Sequence, residues 1–241
     1  MNRILIAPSE LEPDGTVRLT DRRARHIRTV LCAAVGDPLR IGLIGGATGT
    51  GTVTALSPFD VTLACALEAP PADRPPIDLL LALPRPKVMK RLWPVLAAFG
   101  LRRIGLLNAA RVERVYFDSH VLAPAFYQPA LIEGCEQAGL TRLPEVSVHR
   151  RLKPFVEDAL AAWSDCPIRL MAHPGAACRV GAAVRRGAGV LAAVGPEGGW
   201  TDFERALLAA HGFTEAALAQ GALRSDVACA ALLAVVREAQ V

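Results

Sequence analysis

The segment Gly189-Val190-Leu191-Ala192-Ala193-Val194-Gly195-Pro196-Glu197-Gly198-Gly199-Trp200-Thr201-Asp202-Phe203-Glu204 constrains the fold more than any other. Its first six residues form an uninterrupted apolar run, as in a buried strand. Thr201, followed three positions later by Glu204, is a capping-box pattern that opens a helix. Between strand and helix lies a glycine-rich turn carrying one carboxylate, Glu197. This layout places backbone N–H groups around a ligand.

The same rhythm extends upstream. Ile77–Leu83, Ile104–Leu107, Val146–His149, Ile168–Ala172 and Val190–Val194 read as strands. Helices are expected over Lys87–Phe99 (kinked at Pro94), Pro129–Ala138, Pro154–Trp163, Thr201–His211 and Asp226–Ala239. Alternating strands and helices predict a parallel α/β sheet over residues 77–241. Ahead of it, Ala69-Pro70-Pro71-Ala72-Asp73-Arg74-Pro75-Pro76 continues neither a strand nor a helix and reads as a linker.

Residues 1–70 form a separate domain, mostly β. Ile4–Ile6, Val17–Leu19, Leu39–Ile44, Thr50–Leu56 and Val61–Leu67 are short strand candidates between turn signals. One helix, Asp21–Leu31 with Thr20 as its N-cap, interrupts them, and the pattern suggests a small β-barrel. The glycines of Gly42-Leu43-Ile44-Gly45-Gly46-Ala47-Thr48-Gly49-Thr50-Gly51 resemble a dinucleotide-binding turn. Such a turn must open a helix, whereas Thr52-Val53-Thr54-Ala55-Leu56 is β-branched, so a hairpin is expected. The sequence holds no G-K-[ST], H-E-x-x-H or G-x-S-x-G.

Mean hydropathy is +0.31, but no apolar run reaches the ~18 residues of a membrane span. The apolar part of Met1–Pro8 is too short for a signal peptide, so a soluble cytoplasmic protein is expected. The six cysteines are scattered without a C-x-x-C pair and read as core fillers rather than metal ligands or a disulfide frame. Net charge is +4, with only three lysines, Lys87, Lys90 and Lys153. Arginine suits bidentate phosphate contacts. Two basic clusters stand out: Arg22, Arg23, Arg25, His26 and Arg28, then Arg85, Lys87, Lys90 and Arg91. No acidic residue falls between Asp78 and Glu113. On charge alone, these are either solvated helix faces or phosphate-binding surfaces.

Near the C-terminus, three segments each end a strand or open a helix. They are Ala172-His173-Pro174-Gly175, the Gly195–Trp200 turn, and Leu218-Ala219-Gln220-Gly221-Ala222-Leu223-Arg224-Ser225-Asp226. Ligands of open α/β sheets bind beyond the carboxyl ends of the strands, so the three loops are expected to converge.

With these segments in order, the chain resembles the RsmE family of SPOUT-class RNA methyltransferases. Arg25-His26-Ile27-Arg28-Thr29-Val30-Leu31 with Val35-Gly36-Asp37 is similar to its N-terminal RNA-binding segment. Leu81-Ala82-Leu83-Pro84-Arg85-Pro86-Lys87 is similar to the entry of its catalytic domain. Glu136-Gln137-Ala138-Gly139 with Arg142-Leu143-Pro144 matches its middle signature, and the three loops complete the set. The resemblance implies a PUA-like β-barrel followed by a SPOUT α/β domain tied in a C-terminal trefoil knot. It implies a homodimer that binds S-adenosylmethionine in the knot and methylates uridine N3 in 16S rRNA of the small ribosomal subunit.

Carried onto this sequence, the cofactor set is Ala172, His173, Gly195, Pro196, Glu197, Gly198, Gly199, Leu218, Ala219, Gly221, Leu223 and Arg224. Arg22, Arg23, Arg25, His26, Arg28, Arg85, Lys87 and Lys90 would meet RNA, and Arg224 and Asp226 would serve catalysis. The family wording Gly-x-Arg-Ile-Leu-Arg-Thr-Glu-Thr-Ala reads here Ala219-Gln220-Gly221-Ala222-Leu223-Arg224-Ser225-Asp226-Val227-Ala228, with one arginine absent and Asp226 for Glu. Thr-Glu-Leu-Gly reads Ala97-Ala98-Phe99-Gly100, and Cys32 stands where an arginine is common. These departures touch the RNA target more than the cofactor turn.

The residues leave alternatives open. Arg224 either stabilises charge developing on the uracil or pairs with Asp226 ahead of the last helix. Glu197 either handles a proton or shapes its loop by accepting backbone hydrogen bonds. His173 reads as a loop residue rather than a base, and Trp200 as a plug rather than a stacking platform. A non-catalytic RNA-binding or ribosome-assembly factor of the same fold, or a methyltransferase acting at another RNA site, fits the same segments.

Overall fold

The computed structural model describes residues 3–71, 73–219 and 221–241. Met1 and Asn2 of the N-terminal segment, Ala72 of the linker and Gln220 of the third loop lie outside the described residues. The fold is mixed α/β with two sheets. The chain divides into two compact units, Met1–Ala72 with Ile132–Leu143 and Asp73–Leu131 with Pro144–Val241.

The first unit contains β1 (Ile4–Ile6), β2 (Thr16–Leu19), α1 (Arg22–Thr29), β3 (Pro38–Leu43), β4 (Thr48–Leu56) and β5 (Val61–Ala69). They form a five-stranded sheet in the order β1-β3-β4-β5-β2. The β1–β3 pair is parallel and the others are antiparallel. Alternate residues such as Val61 and Leu63 turn inward onto Ile6, Leu19 and Ile41. Helix α1 covers them with Ala24 and Ile27, one turn apart. The glycine-rich run is a hairpin as expected, since Arg40 pairs with Thr50 and Gly42 with Thr48.

Helix α1 starts one residue later than expected. Its N-cap is Asp21, which accepts from the Arg23 amide, not Thr20. It stops at Thr29, and Cys32 turns left-handed at φ 50. Residues 132–143 belong with this unit, whereas the sequence reading placed them in the catalytic domain. The reason is local. Glu136 is buried, accepts from the Leu5 amide and pairs with Arg22 at 2.6 Å.

The second unit contains β6 (Ile77–Ala82), α2 (Pro86–Ala98), β7 (Arg103–Leu107), α3 (Pro124–Ala138), β8 (Glu145–His149), α4 (Leu152–Pro154), α5 (Leu160–Trp163), β9 (Ile168–Ala172), α6 (Val180–Ala183), β10 (Val190–Val194), α7 (Asp202–Ala210), β11 (Thr214–Ala216) and α8 (Ser225–Gln240). From Ile132 onward, α3 is counted with the first unit. The six strands are all parallel, in the order β11-β9-β10-β6-β7-β8. Every residue of β6 and β10 is buried, which accounts for their continuous apolar runs.

Helix α2 runs on through Pro94, and α3 begins upstream of Pro129. A π-helical stretch, Phe155–Ala159, separates α4 from α5. Strand β11 was not anticipated: three residues, Thr-Glu-Ala, carry no alternating pattern. No helix among the described residues is long and apolar enough to cross a membrane.

One residue breaks the apolar pattern of β6. Asp78 is fully buried, held by Arg102 at 2.9 and 2.6 Å and by the Ser164 hydroxyl at 2.7 Å. Asp165 and Cys166 approach closely enough to suggest a metal cluster, but the Arg102 guanidinium already serves both carboxylates. The cysteines divide by burial. Cys135, Cys166 and Cys229 are core, while Cys65 and Cys178 are half-buried and Cys32 is exposed. Burial pushes the Cys135 and Cys229 thiols up to about 12, so at neutral pH they are packing groups.

Two histidines set an acid limit on stability. His149 stacks on Phe155 at 3.7 Å, and the Nε2 of His26 is buried without a partner among the described residues. Burial lowers both from the ordinary histidine range. The unfolded chain therefore takes up protons below about pH 6.5 that the folded chain refuses. Stability is expected to be full near pH 7.5 and to fall as the pH drops from 6.5 towards 5. Thermal melting across this range checks it, and His149→Gln should flatten part of the slope. A melting temperature constant from pH 7.5 to 5 would contradict the assignment.

Candidate active site

Strands β9, β10 and β11 are parallel, and the loops leaving their carboxyl ends meet around one cavity of about 320 Å³. The first loop supplies Ala172, His173 and Pro174. The second supplies Val194 to Trp200, and the third Leu218, Ala219, Gly221, Ala222 and Leu223. Ser225 and Ala228 of α8 and Arg111 from the loop after β7 complete the lining. Every cofactor residue expected from the sequence lines this cavity except Arg224.

The turn after β10 is held rigidly. Gly199 adopts φ 75, a conformation that side chains resist, and its amide donates to Pro196 O at 2.8 Å. A Cβ on Gly195 would stand 2.9 Å from Nε1 of Trp200, which is 5% exposed beneath the turn. Trp200 is thus a plug, as the sequence suggested. The capping box at α7 forms as expected. Thr201 accepts from the Glu204 amide, and Glu204 accepts from the Thr201 amide at 2.8 Å.

Glu204 does more than cap. Its other oxygen takes the Ala110 amide at 2.7 Å, fastening the loop after β7 to this turn. Arg111 in that loop donates to the carbonyls of Gly198 and Gly199. The expectation that Glu197 shapes the loop is therefore corrected. Glu197 is exposed and accepts no hydrogen bond among the described residues, and Glu204 and Arg111 do that work. Arg111 was missed because only its position after a strand's carboxyl end marked it. His173 is a loop residue whose amide donates to Ala216 O.

A second cleft, of about 340 Å³, is lined by Arg85, Val88, Glu197, Arg224, Ser225 and Asp226. It shares Glu197 and Ser225 with the first cavity. Arg224 is the N-cap of α8, is mostly exposed, and pairs with Asp226 Oδ2 at 2.8 Å. The same oxygen accepts from Arg91 at 3.3 Å. Arg224 therefore lines this cleft rather than the first cavity.

The basic residues are less uniform than their charges suggest. Arg85, Lys87 and Lys90 are exposed, with Lys90 over the Phe126 ring. On α1, Arg25 is exposed and Arg22 half-exposed. Arg23 is 8% exposed and spends its guanidinium on Glu10, Asp21 and Leu5 O. Arg28 donates to Ser57 O and Pro58 O. Lowered by burial, His26 is neutral at pH 7. Arg23 thus ties together elements of the first unit, and the Nε2 of His26 is buried, so neither presents a free charge to RNA. Their apolar neighbours Ala24 and Ile27 turn that side of α1 to the core.

Compared with known proteins, residues 72–237 match the RNA methyltransferase domain family. The ribosomal RNA small subunit methyltransferase E of Treponema pallidum is 29% identical over 240 residues, covering 98% of this chain and 90% of the relative. That of Borreliella burgdorferi is 23% identical over 95% of this chain and 94% of its own. The solved ribosomal RNA small subunit methyltransferase E of Neisseria gonorrhoeae superposes with TM-score 0.76 at 22% identity, over 99% of this chain and 97% of that one, and so shares the fold. The chain belongs to the RNA methyltransferase domain family, and within it to the RsmE group.

Proposed function

We propose that this protein transfers the methyl group of S-adenosylmethionine to N3 of a uridine in 16S rRNA. The observation that carries the reading is the convergence of three loops, in a chain of this family, on a cavity walled by the glycine turn. The Neisseria relative was crystallised with S-adenosylmethionine. The residues here fit such a ligand. Gly195, Gly198 and Gly199 line the cavity with backbone, where a Cβ on Gly195 or Gly198 would press on Trp200 at 2.9 Å or Arg111 at 3.0 Å, and Ala172, Leu218 and Leu223 add apolar wall.

The bound donor supplies an electrophilic methyl on sulfur, and the protein's share is positioning and electrostatics. The N3 proton must leave for its electron pair to attack, and the resulting charge spreads onto the flanking carbonyl oxygens. Arg224 stabilises that charge. Asp226 is committed to two guanidiniums and the Val227 amide, so it holds Arg224 in the resting protein and does not take the proton. Glu197, which accepts no hydrogen bond among the described residues and borders both cavities, is the available acceptor.

The PUA-like barrel, the trefoil knot, the homodimer and the cytoplasmic setting belong to the same proposal. The return of the chain from β10 to the outer side of β9 supports the knot. Val227 and Val235, exposed on α8, support a dimer face. An experimental chain trace through 170–225 and sedimentation analysis test these two.

Calorimetry with S-adenosylmethionine and mass spectrometry of rRNA nucleosides from a deletion strain test the function. Binding, with loss of 3-methyluridine, is expected. Absence of binding would favour the RNA-assembly reading, and loss of a different modified nucleoside would move the target. Gly195→Ala should weaken donor binding at least tenfold, because its Cβ displaces Trp200 from under the turn. Unchanged affinity in that variant would remove the turn from the donor site.

A further inference from the structure

We propose that the second cleft seats the target nucleotide, and that Arg91 is the positioning residue that lets Arg224 turn to meet it. This rests on the methyltransferase reading above. The cleft has about 340 Å³, a volume in the range of small-ligand sites. It adjoins the donor cavity through Glu197 and Ser225, so a base seated there lies next to the methyl source. Arg85 and Arg224 give it two planar guanidiniums, a geometry suited to phosphate oxygens and to uracil carbonyls. Val88 supplies an apolar surface for a base face.

Arg224 is not free to act in the protein as it stands, since its guanidinium is tied to Asp226. Asp226 keeps only 22% of its side chain exposed. If Arg224 alone neutralised it, release towards an incoming nucleotide would strand a largely buried carboxylate, which is costly. Arg91 removes that obstacle. It holds the same Oδ2 at 3.3 Å from α2, so Asp226 stays paired while Arg224 moves. The arrangement is a hand-off: one carboxylate, two arginines, and one of the two available to substrate.

The test uses the full chain with S-adenosylmethionine and an unmodified 16S rRNA transcript. Arg91→Ala should lower kcat/KM for the transcript about tenfold and leave donor affinity within about twofold. Arg91→Lys should restore most of the loss. Adding Asp226→Asn to Arg91→Ala should also restore it, because the carboxylate that needed Arg91 is gone. A plain phosphate contact would not be rescued that way. Val88→Trp, which fills the cleft, should abolish turnover with donor binding intact and an unchanged melting temperature.

Wild-type activity that ignores both Arg91→Ala and Val88→Trp overturns the inference. Failure of Asp226→Asn to rescue overturns the hand-off. A wild-type protein that neither binds the donor nor methylates the transcript would instead overturn the methyltransferase reading.

Discussion

Arg224→Ala is expected to slow single-turnover methyl transfer by on the order of 10²–10³-fold at saturating RNA, the scale seen for loss of an oxyanion-hole donor. Donor affinity should stay within about twofold, since Arg224 lies outside the donor cavity. The magnitude follows from where charge develops. Deprotonated uracil carries its charge on carbonyl oxygens, and a guanidinium positioned against those oxygens stabilises it without the reorganisation that water needs. Arg224→Lys should recover only part of the rate, because one ammonium cannot span two oxygens as a planar fork can. Rapid-quench measurements at saturating transcript give the rate. A near-normal rate in Arg224→Ala would remove this residue from the chemistry and leave its pairing with Asp226 as a structural contact.

The second large effect is on stability. Asp78→Ala should cost about 3 kcal/mol, the lower end for breaking a buried ion pair from one side. Asp78 is fully buried in the central strand β6, between Arg102 and the Ser164 hydroxyl. Removing it leaves the hydroxyl without this acceptor and Arg102 with the exposed Asp165 as its carboxylate partner among the described residues. The value sits at the lower end because Arg102 itself is partly exposed. Asp78→Asn should cost less, since the amide oxygen still accepts from Ser164. Urea unfolding of the second unit's signal measures both. A loss below about 1 kcal/mol for Asp78→Ala would show that the pair is relaxed by solvent.

Much of the second unit was legible in its residues. Buried parallel strands read as unbroken apolar runs, so Ile168–Ala172 and Val190–Val194 appear in the structure with the expected ends. The capping box at Thr201 and Glu204 was readable because its logic is local. Strand β11 was not, since three residues at a sheet edge owe their conformation to β9 rather than to their own side chains. The burial of Arg23 was not legible for a similar reason. A charged residue on a helix reads as surface until the partner that buries it is known, and Glu10 lies 13 residues away from Arg23.

The candidate site divides along the same line. The chain by itself determined that three loops at strand ends carry the ligand-facing residues, because strand period, glycine turns and helix caps are set by neighbours in sequence. Tertiary structure alone decided how the labour is shared. It brought Arg111 and Glu204 together to hold the glycine turn and left Glu197 without a hydrogen bond among the described residues. It also placed Arg91 on the same carboxylate as Arg224, across a separation of 135 residues. Contacts at that distance depend on how elements pack, and packing is encoded by the whole chain rather than by any segment of it.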